Sequence, residues 1–159
     1  MTKEVQTSIA FDESFIQYFL EPTDFAAVIE SLSKNLLAKK LVTSGYANAV
    51  QAREKKFSTG LPTEPIGVAI PHTDPEYVNE NAISVAILKQ PILMRVMASG
   101  DQFVDVSVIF LLALGESNKQ LNVLQKLMGI VQDQQVLSEL TTMSKKEMVR
   151  TIKQAILEG

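Results

Sequence analysis

The sequence predicts an α/β protein: a three-layer sandwich in which a mixed β-sheet is flanked by helices on both faces. Three observations carry this. Apolar residues recur at helical spacing early and late in the chain, while the middle holds short extended runs. Val104 to Leu114 is β-branched, apolar and nearly continuous, as in a strand covered on both faces. A connection as short as the one from Leu88 to Ile92 implies antiparallel pairing, so the sheet is expected to be mixed.

The elements follow in chain order. Phe25, Val28, Ile29, Leu32, Leu36 and Leu37 form one helical stripe, with Thr23 or Asp24 as its N-cap. Gly45 separates it from a second helix, Tyr46 to Lys56, that carries Ala47, Val50 and Phe57 on one side. Ser58 to Pro65 contains Gly60, Pro62 and Pro65 and reads as a loop. Gly67 to Ile70 is a short apolar strand stopped by Pro71. Ile83 to Leu88 and Ile92 to Val96 read as two strands, with Gln90-Pro91 as the turn between them. After the long strand, a helix from Ser117 carries Leu121, Leu124, Leu127, Met128 and Val131 on one face. Gln134 to Leu140 is a short helix. Ser144 to Leu157 is the last, with Ser144 and Glu147 at capping-box spacing and Met148, Val149, Ile152 and Ile156 toward the core.

Composition narrows the chemistry. The 159 residues suit a single domain, residues 1–159, with residues 1–10 expected as a loosely ordered N-terminus. There are 15 basic and 18 acidic residues, a net charge of -3, which argues against a nucleic-acid partner. No basic, apolar leader opens the chain, and the longest apolar run, Val106 to Leu114 interrupted by Ser107, is far short of the roughly 20 residues that span a bilayer. A cytoplasmic protein with no direct membrane insertion is expected. Zero cysteines exclude disulfides, thiolate nucleophiles and cysteine zinc sites, and one histidine excludes any site needing two imidazoles from one chain. The phosphate-loop, dinucleotide and nucleophile-elbow motifs are missing, and so is any E-x-x-H or H-E-x-x-H metal pair. Asp101 and Asp105 flank an apolar segment and read as loop and strand-edge residues, so no metal and no cofactor are expected.

The lone histidine, His72, follows Gly67-Val68-Ala69-Ile70-Pro71, where a buried strand ends. Strand ends are where α/β sheets place ligands. Pro71 stiffens the approach, and Thr73, Asp74 and Pro75 turn the chain away. An imidazole with a pKa near 6.5 is mostly neutral at pH 7, so a ring nitrogen is available as a nucleophile. The alternative is a histidine that only caps the strand or satisfies the turn. A nucleophile carrying a phosphoryl group needs positive charge and donors beside it. Arg53 offers a planar fork for phosphate oxygens, the Thr59 hydroxyl is a donor, and Gly60 permits close backbone approach. On spacing alone, the other reading of these three is a solvated helix charge and two ordinary turn residues.

Taken together, Arg53-Glu54, Thr59-Gly60 and Gly67-Val68-Ala69-Ile70-Pro71-His72 resemble the signature of the fructose/mannitol-type IIA domains of the bacterial sugar phosphotransferase system. The similarity runs from the helix around Leu32 to the C-terminal helix. Lys119 to Leu127 is similar to the family's helix after the last long strand, and Gln120-Leu121 with Met128 to Gln132 is most like the galactitol-specific branch. The resemblance implies a phosphotransferase: His72 accepts a phosphoryl group from phospho-HPr and passes it to a cysteine of a IIB component, with Arg53 in the active site. A membrane IIC component acts only indirectly and selects the sugar. Mannitol- and nitrogen-type members carry a second histidine where this sequence has Gln120, which can donate a hydrogen bond but carries no charge. Because the chain has no cysteine, the IIB acceptor is expected on a separate chain. Phe57, Leu61, Ile66 and the exposed side of the Gln120 helix are candidates for a docking rim. A regulatory binding module of the nitrogen type is the rival expectation.

Overall fold

The computed structural model describes residues 9–115 and 117–158; the predicted loose segment falls mostly outside them. Ala10 lies inside and is tied down, pairing with Ala82 and donating its N–H to the Asn81 carbonyl at 2.8 Å.

A short 3-10 turn leads into β1 (Ile16–Phe19), followed by α1 (Phe25–Ala38), α2 (Tyr46–Lys56), β2 (Gly60–Leu61) and β3 (Gly67–Ala69). Then come β4 (Ala82–Arg95), β5 (Phe103–Ala113), α3 (Ser117–Val131), α4 (Gln134–Leu140) and α5 (Lys145–Lys153), which continues into a π turn over Gln154–Glu158. Asp24 is the N-cap of α1, its carboxylate accepting from the Ala27 N–H. The capping box at Ser144 and Glu147 starts α5.

The strand order is β1-β4-β5-β3-β2. β1 with β4 and β3 with β5 are parallel; β4 with β5 and β2 with β3 are antiparallel. Adjacent residues of β1 show which helix covers which face. Gln17 takes a hydrogen bond from Ser31 of α1, while Tyr18 lies under the Lys145 ammonium of α5, 5.5 Å from its ring centroid. Successive strand side chains point to opposite faces, so α1 and α5 lie on opposite sides of the sheet. The two long inner strands, β4 and β5, are correspondingly buried on both faces, from Ala82 to Leu88 and from Val108 to Ala113.

Two expectations change. Gln90-Pro91 is no turn: residues 82–95 form one strand, and the pairing with β5 skips from Ile87 to Ile92. Proline donates no N–H, so it sits where the ladder is already broken. The antiparallel hairpin is β4–β5, closed over residues 96–102 instead. The predicted loop 58–65 also contains β2, which extends the sheet past β3 and reaches back to β4 through a Gly60–Val96 bridge. The sheet therefore curls onto itself at this end, and its glycines are required there. A Cβ on Gly67 would lie 2.1 Å from the Asp105 carbonyl oxygen, and one on Gly60 2.5 Å from that of Arg95. No described helix is long and apolar enough to cross a membrane.

Candidate functional site

β3 delivers the chain to His72 along a buried track. Val68, Ala69, Ile70 and Pro71 are all buried, and His72 is the first residue with a partly open side chain. The track is fixed from two directions. The Leu112 N–H of β5 donates to the Pro71 carbonyl at 3.0 Å, and the Ile70 N–H points at the Thr59 carbonyl at 3.4 Å. Behind them, the buried Tyr46 of α2 donates its hydroxyl to the Leu112 carbonyl at 2.6 Å. Helix, strand and histidine segment are thus joined through the end of β5.

The imidazole itself is oriented. His72 Nδ1 lies 2.9 Å from the Ile70 carbonyl oxygen. A carbonyl accepts only, so Nδ1 carries the proton and Nε2 keeps its lone pair. Burial lowers the His72 pKa below its ordinary value; the Ile70 contact opposes this, the Arg53 charge adds to it, and Asp74 opposes it again. The net result favours the neutral ring.

Arg53 stands half-buried in the last turn of α2, with its guanidinium carbon 5.2 Å from the centroid of the Phe57 ring. The two residues expected to help it do something different. Thr59 is buried, and both its N–H and its hydroxyl donate to the Glu54 carboxylate, at 2.8 and 2.9 Å. The hydroxyl proton expected for a phosphate is therefore used in pinning the end of α2 to the start of β2. Burial raises the Glu54 pKa, and the two bonds from Thr59 and the Arg53 charge pull it back down. Gly60 makes its close approach to the Arg95 carbonyl, not to an open surface. Gln120 belongs to the first turns of α3, and its side chain lies outside the described residues.

Of the expected rim, Phe57 is 62% exposed, whereas Leu61 is buried at 8% and packs into the core. Ile66 is half-buried, and its backbone N–H and carbonyl are both held by the Gln134 amide of α4, at 2.9 and 3.1 Å. Sequence reasoning quoted Glu54 and Gly67 within the family signature but gave them no role, and gave Tyr46 none. Glu54 had a readable signal, a carboxylate beside Arg53 and five residues before a hydroxyl. Gly67 had another, a glycine opening an apolar strand. Among the described residues no group of three or more histidines or carboxylates comes together to hold a metal ion.

The arrangement offers an oriented neutral imidazole with an unprotonated Nε2 and one nearby guanidinium. That suits a nucleophile attacking an anionic centre. Comparison with known proteins points to one family. Over 145 residues, the chain is 25% identical to the galactitol-specific EIIA component of Escherichia coli K12, covering 91% of this chain and 96% of that protein. In structure it matches a putative IIA protein, PtxA, from Streptococcus mutans, with a TM-score of 0.71 at 22% identity, over 93% of this chain and 95% of that one. It also matches the Escherichia coli mannitol IIA solved in complex with phosphorylated mannitol IIB, with a TM-score of 0.70 at 17% identity, over 91% of this chain and 97% of that chain. Residues 10–155 match the family described as phosphoenolpyruvate-dependent sugar phosphotransferase system, EIIA 2, and the chain belongs to that family.

Proposed function

We propose that this chain is a phosphocarrier that takes a phosphoryl group from phospho-HPr on His72 Nε2 and passes it to a cysteine of a separate IIB chain. The observation that carries this reading is the Nδ1 contact with the Ile70 carbonyl, which leaves Nε2 as the nitrogen with a free lone pair. In the first transfer, an Nε2–P bond forms as the N–P bond of the phosphorylated HPr histidine breaks, and its electron pair stays on the HPr nitrogen. Nδ1 keeps its proton throughout. The phosphorylated ring then carries a positive charge, which the Ile70 carbonyl stabilises by accepting the Nδ1–H hydrogen bond. In the second transfer a thiolate attacks phosphorus, a P–S bond forms, and the Nε2–P pair returns to the ring as a lone pair. Arg53 supplies positive charge for the phosphoryl oxygens in both directions.

The thiolate must come from outside this sequence, which contains no cysteine. Similarity to the galactitol-specific component over most of both chains supports galactitol or a related polyol as the transported substrate. Gln120 is the residue of α3 assigned to donate to the phosphoryl group in place of a second histidine.

The test is labelling with phosphoenolpyruvate, enzyme I and HPr, followed by addition of the IIB protein. One acid-labile phosphoryl group per chain, absent in His72→Ala and discharged onto IIB, is the expected result. Full labelling of His72→Ala would refute the assignment. Labelling that never discharges onto any IIB cysteine would instead favour a regulatory module.

A further inference from the structure

Phe57 is a large aromatic ring left 62% exposed. Burial cannot explain it, yet its position is tightly fixed. Its backbone N–H caps α2 by donating to the Arg53 carbonyl at 2.8 Å, and at φ -134 and ψ 89 the chain leaves the helix there. Two residues later, Thr59 is fastened to Glu54 by two hydrogen bonds. Phe57 therefore sits in a short loop closed at both ends, with its ring against the Arg53 guanidinium at 5.2 Å. The same loop runs on to the Thr59 carbonyl, which faces the Ile70 N–H two residues before His72. An arginine side chain has many rotamers to lose when it engages a phosphoryl group, and a ring packed against it removes part of that freedom in advance.

We propose that Phe57 is a positioning residue for phosphoryl transfer, its ring holding the Arg53 guanidinium ready for the phosphoryl group on His72. The proposal rests on the reading of His72 as acceptor. It gives the exposed ring a role beyond a docking contact, and the two roles separate experimentally.

Single-turnover transfer from phospho-HPr over a range of concentrations distinguishes the saturating rate from docking affinity. Phe57→Ala lowers the saturating rate roughly two- to five-fold, the size of an exposed cation–π contact. Phe57→Trp restores it. Phe57→Leu, which keeps an apolar surface but offers no π face, does not. In an Arg53→Ala background, Phe57→Ala has no further effect. An unchanged saturating rate in Phe57→Ala, restoration by Phe57→Leu, or an equal loss with and without Arg53 would overturn the proposal. An independent readout is the NMR shift of the Arg53 Nε–H, displaced by the ring in the wild type and Phe57→Trp and relaxed in Phe57→Leu. An identical shift in wild type and Phe57→Leu would overturn the contact itself. A wild-type chain that shows the displaced shift but accepts no phosphoryl group overturns the acceptor reading, and the role of the ring with it.

Discussion

Gly67→Ala separates what this fold requires from what backbone propensity alone expects. Replacing glycine by alanine in a strand normally stabilises, by roughly 0.5–1 kcal/mol, because the unfolded chain loses freedom. Here the new Cβ would fall 2.1 Å from the Asp105 carbonyl oxygen and 2.9 Å from a Val104 methyl, both tighter than real Cβ contacts allow. The atom in the way is backbone, held in the β5 ladder, so β3 and β5 must separate by about 1 Å to relieve the clash. Overpacking of this kind costs about 1–3 kcal/mol, and a backbone clash belongs at the upper end. At about 2–4 °C per kcal/mol for a chain of this size, a 3 kcal/mol loss lowers Tm by about 6–12 °C. Thermal unfolding followed by circular dichroism measures this directly. Gly100→Ala is the control, since a Cβ there meets nothing within 4 Å, and its Tm stays near that of the wild type. A Gly67→Ala protein as stable as the wild type, or more so, would refute the close approach of β3 to β5.

Three other perturbations probe the site. If Arg53 holds the phosphoryl oxygens as proposed, Arg53→Ala removes a charge-assisted contact, and phosphorylation by phospho-HPr slows about 10- to 100-fold while Tm barely moves. Tyr46→Phe deletes the buried hydroxyl that donates to the Leu112 carbonyl. Its cost is about 1–2 kcal/mol, read as a higher sensitivity to denaturant with an unchanged m-value. Because His72 is the single histidine, its imidazole proton signal in NMR reports one titration, and the midpoint falls below 6.5. As pH falls below about 6.5 the unfolded chain takes up the proton first, so the His72 contribution to stability is complete above that pH and is lost as pH falls through the lowered folded value. A His72→Gln variant shows a flatter loss of stability over that acidic window.

The helices were legible in the sequence because their signals are local. Asp24 and the Ser144–Glu147 pair act as caps where the spacing placed them, and Val28, Ile29, Leu32 and Leu36 of the first stripe and Met148, Ile152 and Ile156 of the last are buried, while Leu37 and Phe57, read into the stripes of the first two helices, are exposed. The long strand was legible because Val108 to Ala113 is buried on both faces and carries no polar alternation. What failed depends on pairing between distant residues. Pro91 has the same local signature in a turn and in a broken ladder, and only the β5 register tells them apart. The two residues of β2 form a strand because Ala69 and Val68 lie beside them, not because Gly-Leu favours one. The site divides in the same way. Pro71-His72 at a strand end is a local signal. The Thr59 hydroxyl and the space at Gly60 were read as open to a ligand, yet Glu54 takes the one and the Arg95 carbonyl fills the other.

The central claim is that His72 carries the phosphoryl group on Nε2 while Nδ1 keeps its proton. Phosphorylating the protein through enzyme I and HPr with nitrogen-15 in its single histidine, then observing both ring nitrogens by NMR, tests it most directly. The account predicts coupling to phosphorus at Nε2 and a directly bonded proton at Nδ1. Coupling to phosphorus at Nδ1, or a protein that takes up phosphate with both ring nitrogens unaltered, would contradict it.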